Sequence, residues 1–182
     1  MSQFSFHPFP ILSTVKLLLR QLTLNDALSI FKYRSNKENF PYVDMRIYTD
    51  IAEAKAYIEI MNTEVKENKE VIWAITDKNT NQVLGTISIW NINAEKNLAE
   101  LGYGLFPEYR GNGIMSQALA KVVDYGFNNM GLKTIEAWTD SLNNESKALL
   151  ERNKFIKTSS VVENTSNGGS TIMDIYSRDA EG

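Results

Sequence analysis

The sequence predicts a mixed α/β fold: a mostly antiparallel sheet of about seven strands with helices on both faces. Three observations carry this. Two β-rich runs, Val71–Thr76 and Val83–Trp90, flank a turn at Asp77–Gln82 and read as a hairpin, which Leu98–Phe106 extends into a meander. A β-α-β passage follows: that strand, a loop at Pro107–Gly113, a helix at about Ile114–Met130 and a strand at Thr134–Trp138, which demands one parallel pairing. Two stretches upstream of the hairpin carry apolar residues at helical rather than alternating spacing.

In chain order, residues 1–14 read as an N-terminal arm, aromatic and Pro-rich over Phe4–Pro10, and residues 15–178 as one domain. Val15–Arg20 is a first strand. Asn25 is expected to cap a helix that presents Leu24, Leu28 and Phe31 on one face and ends near Tyr33–Ser35. Ser35–Tyr42, polar with a Pro, is a loop. Asp50 and Glu53 read as a capping box, and Ala54, Tyr57, Ile58, Met61 and Val65 form one apolar stripe behind it. After Gly113, Met115, Ala118, Leu119 and Val122 recur at helical spacing, and Gly131 suits the turn beyond the helix. A short helix is expected over Asn144–Arg152. Val161–Val162 and Ile172–Tyr176 flank Asn164–Ser170 as a closing hairpin.

Composition narrows the function classes. A chain of 182 residues supports one domain with a real core. A net charge of −3 argues against a nucleic-acid surface, and no apolar run is long enough to cross a bilayer. Met1–Pro10 lacks a basic n-region and a long apolar core, so no signal peptide is read there and the cytoplasm is the expected compartment. The absence of Cys removes thiol nucleophiles, disulfides and thiolate metal sites. His7 is the lone histidine, and it is read as an ordinary residue of a loosely held terminus. That leaves no His-containing metal cluster and no His-based triad, so no metal is expected.

The chemistry concentrates in Arg110-Gly111-Asn112-Gly113, where two glycines and a cation open a helix. A helix N-terminus exposes N–H groups and the positive end of the dipole, and glycine admits close approach to the backbone. A phosphate-bearing ligand suits that site. No Walker string occurs in the chain. A dinucleotide fingerprint fits only Gly111 and Gly113, with Ser116 at its third position and Glu136 as a ribose-binding acid, which leaves a nucleotide-dependent oxidoreductase as a distant reading. The segment Arg110–Met115 resembles [RQ]-x-x-G-x-[GA], the pyrophosphate loop of GNAT-type N-acetyltransferases, with Met115 where that family has Gly or Ala. A second segment, Asn143–Phe155, resembles N-x-x-S-x-x-x-L-E-x-x-G-F of the same family: Asn143, Ser146, Leu150, Glu151 and Phe155 fall in step, and Lys154 replaces Gly. The opening Leu18–Leu22 with Asp26-Ala27 is similar to the RimJ/RimL-like branch, which acetylates protein N-termini and other amines. The resemblance spans about Lys16 to Tyr176.

The resemblance implies a specific site. The strands on either side of the loop and its helix run parallel and splay, so that the pantetheine arm of acetyl-CoA bonds to one of them as a substitute strand. Arg110 and the N–H groups of Gly111, Asn112, Gly113, Ile114, Met115 and Ser116 hold the pyrophosphate. Leu105 and Phe106 offer backbone groups to pantetheine, and an N–H around Leu105 receives the oxyanion. Asn143 touches the cofactor, its other role being a helix cap. Glu100 is the base that accepts the amine proton, directly or through water, or else an exposed strand residue. Ser146 protonates or hydrogen-bonds the leaving thiolate, or else caps its helix. The acceptor is a primary amine, of a protein N-terminus or a small molecule, attacked directly in a ternary complex. Phe40, Tyr42, Trp90, Asn91 and Trp138 line its pocket or belong to the core. A homodimer is implied at family level only. The rival reading, motivated by Met115 and Lys154, is a catalytically idle acyl-CoA-binding sensor or partner module.

Overall fold

The computed structural model describes residues 4–181. Its strands are β1 (Leu12–Ser13), β2 (Leu17–Arg20), β3 (Val71–Asp77), β4 (Val83–Asn93), β5 (Leu98–Leu105), β6 (Thr134–Asp140), β7 (Ile156–Asn164) and β8 (Ser170–Asp179). The helices are α1 (Ala27–Arg34), α2 (Ile51–Lys66), α3 (Ile114–Asn128) and α4 (Asn144–Arg152). The strands form one sheet in the order β1-β2-β3-β4-β5-β6-β8-β7. Every neighbouring pair is antiparallel except β5 and β6. A mostly antiparallel sheet excludes the doubly wound architecture that the dinucleotide reading required.

The eighth strand, β1, lies in the N-terminal stretch, whose described residues, 4–14, pack onto the domain. Leu12 pairs with Leu19, Phe6 is fully buried with its N–H donating to Asn68 Oδ1 at 2.7 Å, and Trp73 Nε1 donates to the Pro10 carbonyl at 2.6 Å. The aromatic residues of this stretch therefore close one end of the core. The first long strand starts at Leu17 rather than Val15, whose side chain stands in solvent.

Alternation along β3 and β4 sorts their side chains between two helical layers. Val71, Trp73 and Ile75 share a face with Ile87 and Ile89, and Trp73 meets Tyr125 of α3 edge-on at 5.6 Å. The opposite face, with Ile72, Thr86, Ser88, Gly102 and Gly104, lies under α1 and α2, and Tyr33 of α1 reaches Gly104. The α2 capping box forms as read: Asp50 accepts from the Ala52 N–H at 2.7 Å, Glu53 accepts from the Asp50 N–H at 3.2 Å, and Ala54, Ile58 and Val65 are buried.

The start of α1 corrects the sequence reading. The cap is Thr23, not Asn25, and it leads a 3-10 turn, Leu24–Asp26, into the helix. Asp26 accepts from the Thr23 N–H at 2.8 Å and takes both Arg20 guanidinium nitrogens at 2.9 Å. This buried pair fixes the entry angle of α1. The helix consequently buries Ala27 and Ile30, while Leu24 and Leu28 are half exposed. The closing hairpin is also longer than expected and inserts β8, not β7, beside β6. At the sheet edge β7 is exposed almost throughout, so it carries no apolar alternation for sequence analysis to find.

Candidate active site

The sheet is split at its one parallel pair. β5 and β6 are in register only at Leu98–Glu100 opposite Thr134–Glu136, and Leu101–Leu105 has no partner on β6. On its other side, β5 stays bonded to β4 through Leu105. There the Phe106 N–H donates to the Leu84 carbonyl at 2.8 Å, which sets the alternation of the antiparallel ladder. The N–H and carbonyl of Tyr103 and the N–H of Leu105 consequently point away from β4, into the gap. Such groups need partners when they are covered. A cavity of about 710 Å³ runs through this gap. Gly111, Gly113, Met115, Ser116, Asn143 and Ser146 line one half, and α1, α2 and the loop between them line the other.

Beside the gap, α3 opens on a loop that favours anions. Gly111 and Gly113 have φ of 76° and 71°, in the left-handed region where an L side chain costs about 1–2 kcal/mol. A Cβ built on either would meet no atom within 4 Å. The first helical amide to find a partner is that of Gln117, which donates to the Gly113 carbonyl at 3.2 Å. Among the described residues, none of the six amides from Gly111 to Ser116 donates a hydrogen bond within the chain. Met115, the departure from the family pattern, is buried and forms part of the wall.

Two expected cofactor residues are already engaged within the protein. The Phe106 N–H is committed to Leu84 and its carbonyl already accepts from the Tyr109 N–H at 3.0 Å, so its N–H is not free for a ligand. The pleat is the reason: Phe106 is a hydrogen-bonded partner of β4, and its ring stacks on Tyr33 at 4.7 Å. The Arg110 guanidinium folds back on the protein, donating to the Leu105 carbonyl at 3.2 Å and more loosely to the Asn39 carbonyl at 3.4 Å. It braces the end of β5 against the α1 side, and the phosphate-ready groups of the loop are its backbone amides. The Asn112 side chain donates to the Arg110 carbonyl, which shapes the same turn.

Asn143 caps α4, accepting from the Ser146 N–H at 3.1 Å, and also lines the cavity. The cap turns the Ser146 hydroxyl toward β5, where it meets the Tyr103 hydroxyl at 2.7 Å. Burial pushes the Tyr103 phenol up to about 12, so it stays protonated. When Tyr103 donates to Ser146, the serine proton is free to point into the cavity. Sequence analysis missed Tyr103. Its only signal was its alternation with Leu101 and Leu105 on a strand already assigned to the site.

Lys154 adopts φ of 66°, so the lysine holds the left-handed turn that the family gives to glycine. On the other side of the sheet, Phe40 and Tyr42 line the cavity, whereas Trp90, Asn91 and Trp138 do not. Nor does Glu100. It stands two residues before Gly102, which does line the cavity, on the same face, and it accepts from Asn91 Nδ2 at 2.6 Å. Asn91 can reach it because β4 breaks register between Trp90 and Asn93 and Asn91 takes φ of 47°.

Solved structures of other proteins share this fold. The ribosomal L7/L12 α-N-protein acetyltransferase RimL, in complex with coenzyme A, superposes with a TM-score of 0.85 at 20% identity, covering 93% of this chain and 98% of that one. The ribosomal-protein-S5-alanine acetyltransferase of Vibrio fischeri gives 0.82 at 24%, covering 93% and 96%. The microcin C7 self-immunity acetyltransferase MccE, in complex with acetyl-CoA and AMP, gives 0.83 at 23%, covering 92% and 94%. These likenesses show the fold. The chain itself belongs to the GNAT acetyltransferase family: residues 16–156 match the acetyltransferase (GNAT) domain. It is 36% identical over 149 residues to the uncharacterized N-acetyltransferase YoaA of Bacillus subtilis, covering 82% of this chain and 84% of that protein. It is 32% identical over 165 residues to the uncharacterized N-acetyltransferase p20 of Bacillus licheniformis, covering 91% and 92%.

Proposed function

We propose that this acetyltransferase moves the acetyl group of acetyl-CoA to a primary amine by direct attack in a ternary complex. The observation that carries this reading is the row of six unengaged amides at the mouth of a split sheet. The amides from Gly111 to Ser116 bind the pyrophosphate, with the dipole of α3 behind them. Tyr103 and Leu105 bond the pantetheine amides through the backbone that faces the gap. The structures of RimL with coenzyme A and of MccE with acetyl-CoA support the same donor.

The amine nitrogen attacks the thioester carbon, a C–N bond forms and the C–S bond breaks. The Leu105 N–H stabilises the oxyanion that develops between the two events. Glu100 takes the amine proton through water, because it stands beside the cavity rather than in its wall. Ser146, oriented by Asn143 and Tyr103, supplies a hydrogen bond or a proton to the departing sulfur. Protein N-termini belong among the acceptors to be tried, since RimL and the S5-alanine enzyme are named for ribosomal-protein acceptors.

The test incubates the protein with acetyl-CoA and a panel of amines, including peptides with free N-termini, and follows thiol release together with product mass. Acetylated product and a thermal shift with coenzyme A are expected. No transfer to any amine and no shift would remove the proposal.

A further inference from the structure

Resting on the acyl-transfer reading, we infer that the acceptor amine carries its own anionic group, a carboxylate or a phosphate, and that Arg34 binds it. The acceptor half of the cavity is walled by aromatic and aliphatic side chains, among them Tyr33, Phe40, Tyr42, Tyr57 and Ile72. Among the described residues lining that half, Arg34 is the one with a charged side chain that is not folded onto backbone carbonyls as Arg110 is.

Arg34 is held rather than solvated. Its guanidinium lies 4.0 Å from the Tyr57 ring centroid and 5.2 Å from that of Tyr48, and Nη1 donates to the Tyr48 hydroxyl at 3.0 Å. No described carboxylate forms an ion pair with it. Glu70, whose charge reaches Tyr57, makes no ion pair with Arg34, while Glu53 takes Arg46 and the Thr49 and Asp50 amides and Asp44 takes Ser166. A partly buried cation without a counter-charge is costly, and aromatic faces offset only part of that cost. The guanidinium has five donors; one goes to Tyr48, and Tyr57 lies close enough to draw another. The remaining fork fits the two oxygens of a carboxylate or phosphate.

The position also suits an acceptor. Arg34 follows Tyr33, whose hydroxyl lies 2.8 Å from where a Gly104 Cβ would sit, next to the Leu105 N–H in the gap. An amine directed at the thioester from this side presents the rest of its molecule to Arg34. A polyamine, which brings only positive charge, is disfavoured there.

The experiment compares matched acceptors under saturating acetyl-CoA. Free amino acids are set against their α-carboxamides, phosphoethanolamine against ethanolamine, and spermidine is added as the polycation. At least one anionic acceptor is expected to exceed its neutral partner by about tenfold or more in kcat/KM, the size of a charge-assisted hydrogen bond. The pair that shows the gap tells carboxylate from phosphate. In Arg34→Gln that preference is expected to collapse through KM, with the neutral partner changed by less than about twofold, and Arg34→Lys is expected to restore part of it. If neutral amines or spermidine match the anionic acceptors, or if Arg34→Gln lowers both members of a pair equally, the inference is overturned. A merely structural arginine gives the second result, and thermal melting of each variant identifies unfolding. Failure of all acceptors together with absent coenzyme A binding would instead refute the acyl-transfer reading itself.

Discussion

The two halves of the cavity are built from different materials. The half that faces α3 and α4 is a backbone device: six amides, two left-handed glycines and the unpaired edge of β5. The half that faces α1 and α2 is a side-chain device, made of aromatic and aliphatic side chains with Arg34 among them. A backbone site asks little of sequence except glycine and the order of strand, loop and helix. A side-chain site is free to vary wherever its chemistry must. A common donor with divergent acceptors would leave this pattern, and substitutions should separate the halves.

The largest effect is expected from Asp26→Ala. The Arg20–Asp26 pair is buried, and removing one partner leaves a charge uncompensated while unlocking the start of α1. Urea denaturation should show a loss of about 3–5 kcal/mol. The acceptor half rests on α1, so acceptor KM should rise while coenzyme A affinity holds. Burial alone would raise the Asp26 carboxyl, but the Arg20 hydrogen bonds, the Thr23 amide and the Arg20 charge outweigh it and hold it below the usual range. The folded value being depressed, its contribution is complete above the unfolded value of about 3.9 and is lost as pH falls further. The stability gap between the wild-type protein and Asp26→Asn should therefore narrow below about pH 4.

Gly113→Val is the reciprocal cut. A β-branched residue at φ of 71° costs about 2 kcal/mol of backbone strain and puts a side chain in the open space before the amides. Calorimetry should record coenzyme A binding weakened by a factor of about thirty, the equivalent of that strain if the loop relaxes out of shape. Acceptor KM should barely move. Ser146→Ala should lower kcat by about a hundredfold, the low end of general acid catalysis, and Tyr103→Phe by about fivefold, one hydrogen bond. Both should leave coenzyme A affinity intact. The smallest expected effect touches neither half: Lys154→Gly relieves a left-handed lysine but adds unfolded-state entropy, for a net gain of about 0.5 kcal/mol in thermal melts.

The same division explains what sequence could reveal. The meander, α2 with its capping box, the glycine loop that opens α3 and the Asn143 cap rest on local chemistry, and each was readable. Phe106 was misassigned because its neighbour in the ladder, Leu84, is a nonlocal partner that decides which way its N–H points. Asn25 lost the cap to Thr23 because Arg20 draws Asp26 into a buried pair. The Tyr103–Ser146 contact, Arg34 and the displacement of Glu100 from the cavity wall all depend on contacts between distant elements. Beyond the alternation that places Tyr103 on a strand of the site, no spacing along the chain encodes them.

The central claim is that backbone amides at the start of α3 and along the gap in the sheet hold coenzyme A. Titration of coenzyme A into nitrogen-15-labelled protein, followed by amide NMR, reads those groups one by one. The amides of Gly111 to Ser116, with Tyr103 and Leu105, should shift most, and Phe106, already bonded to Leu84, should shift less. Binding that perturbs amides elsewhere while leaving those of Gly111–Ser116 in place would contradict the account.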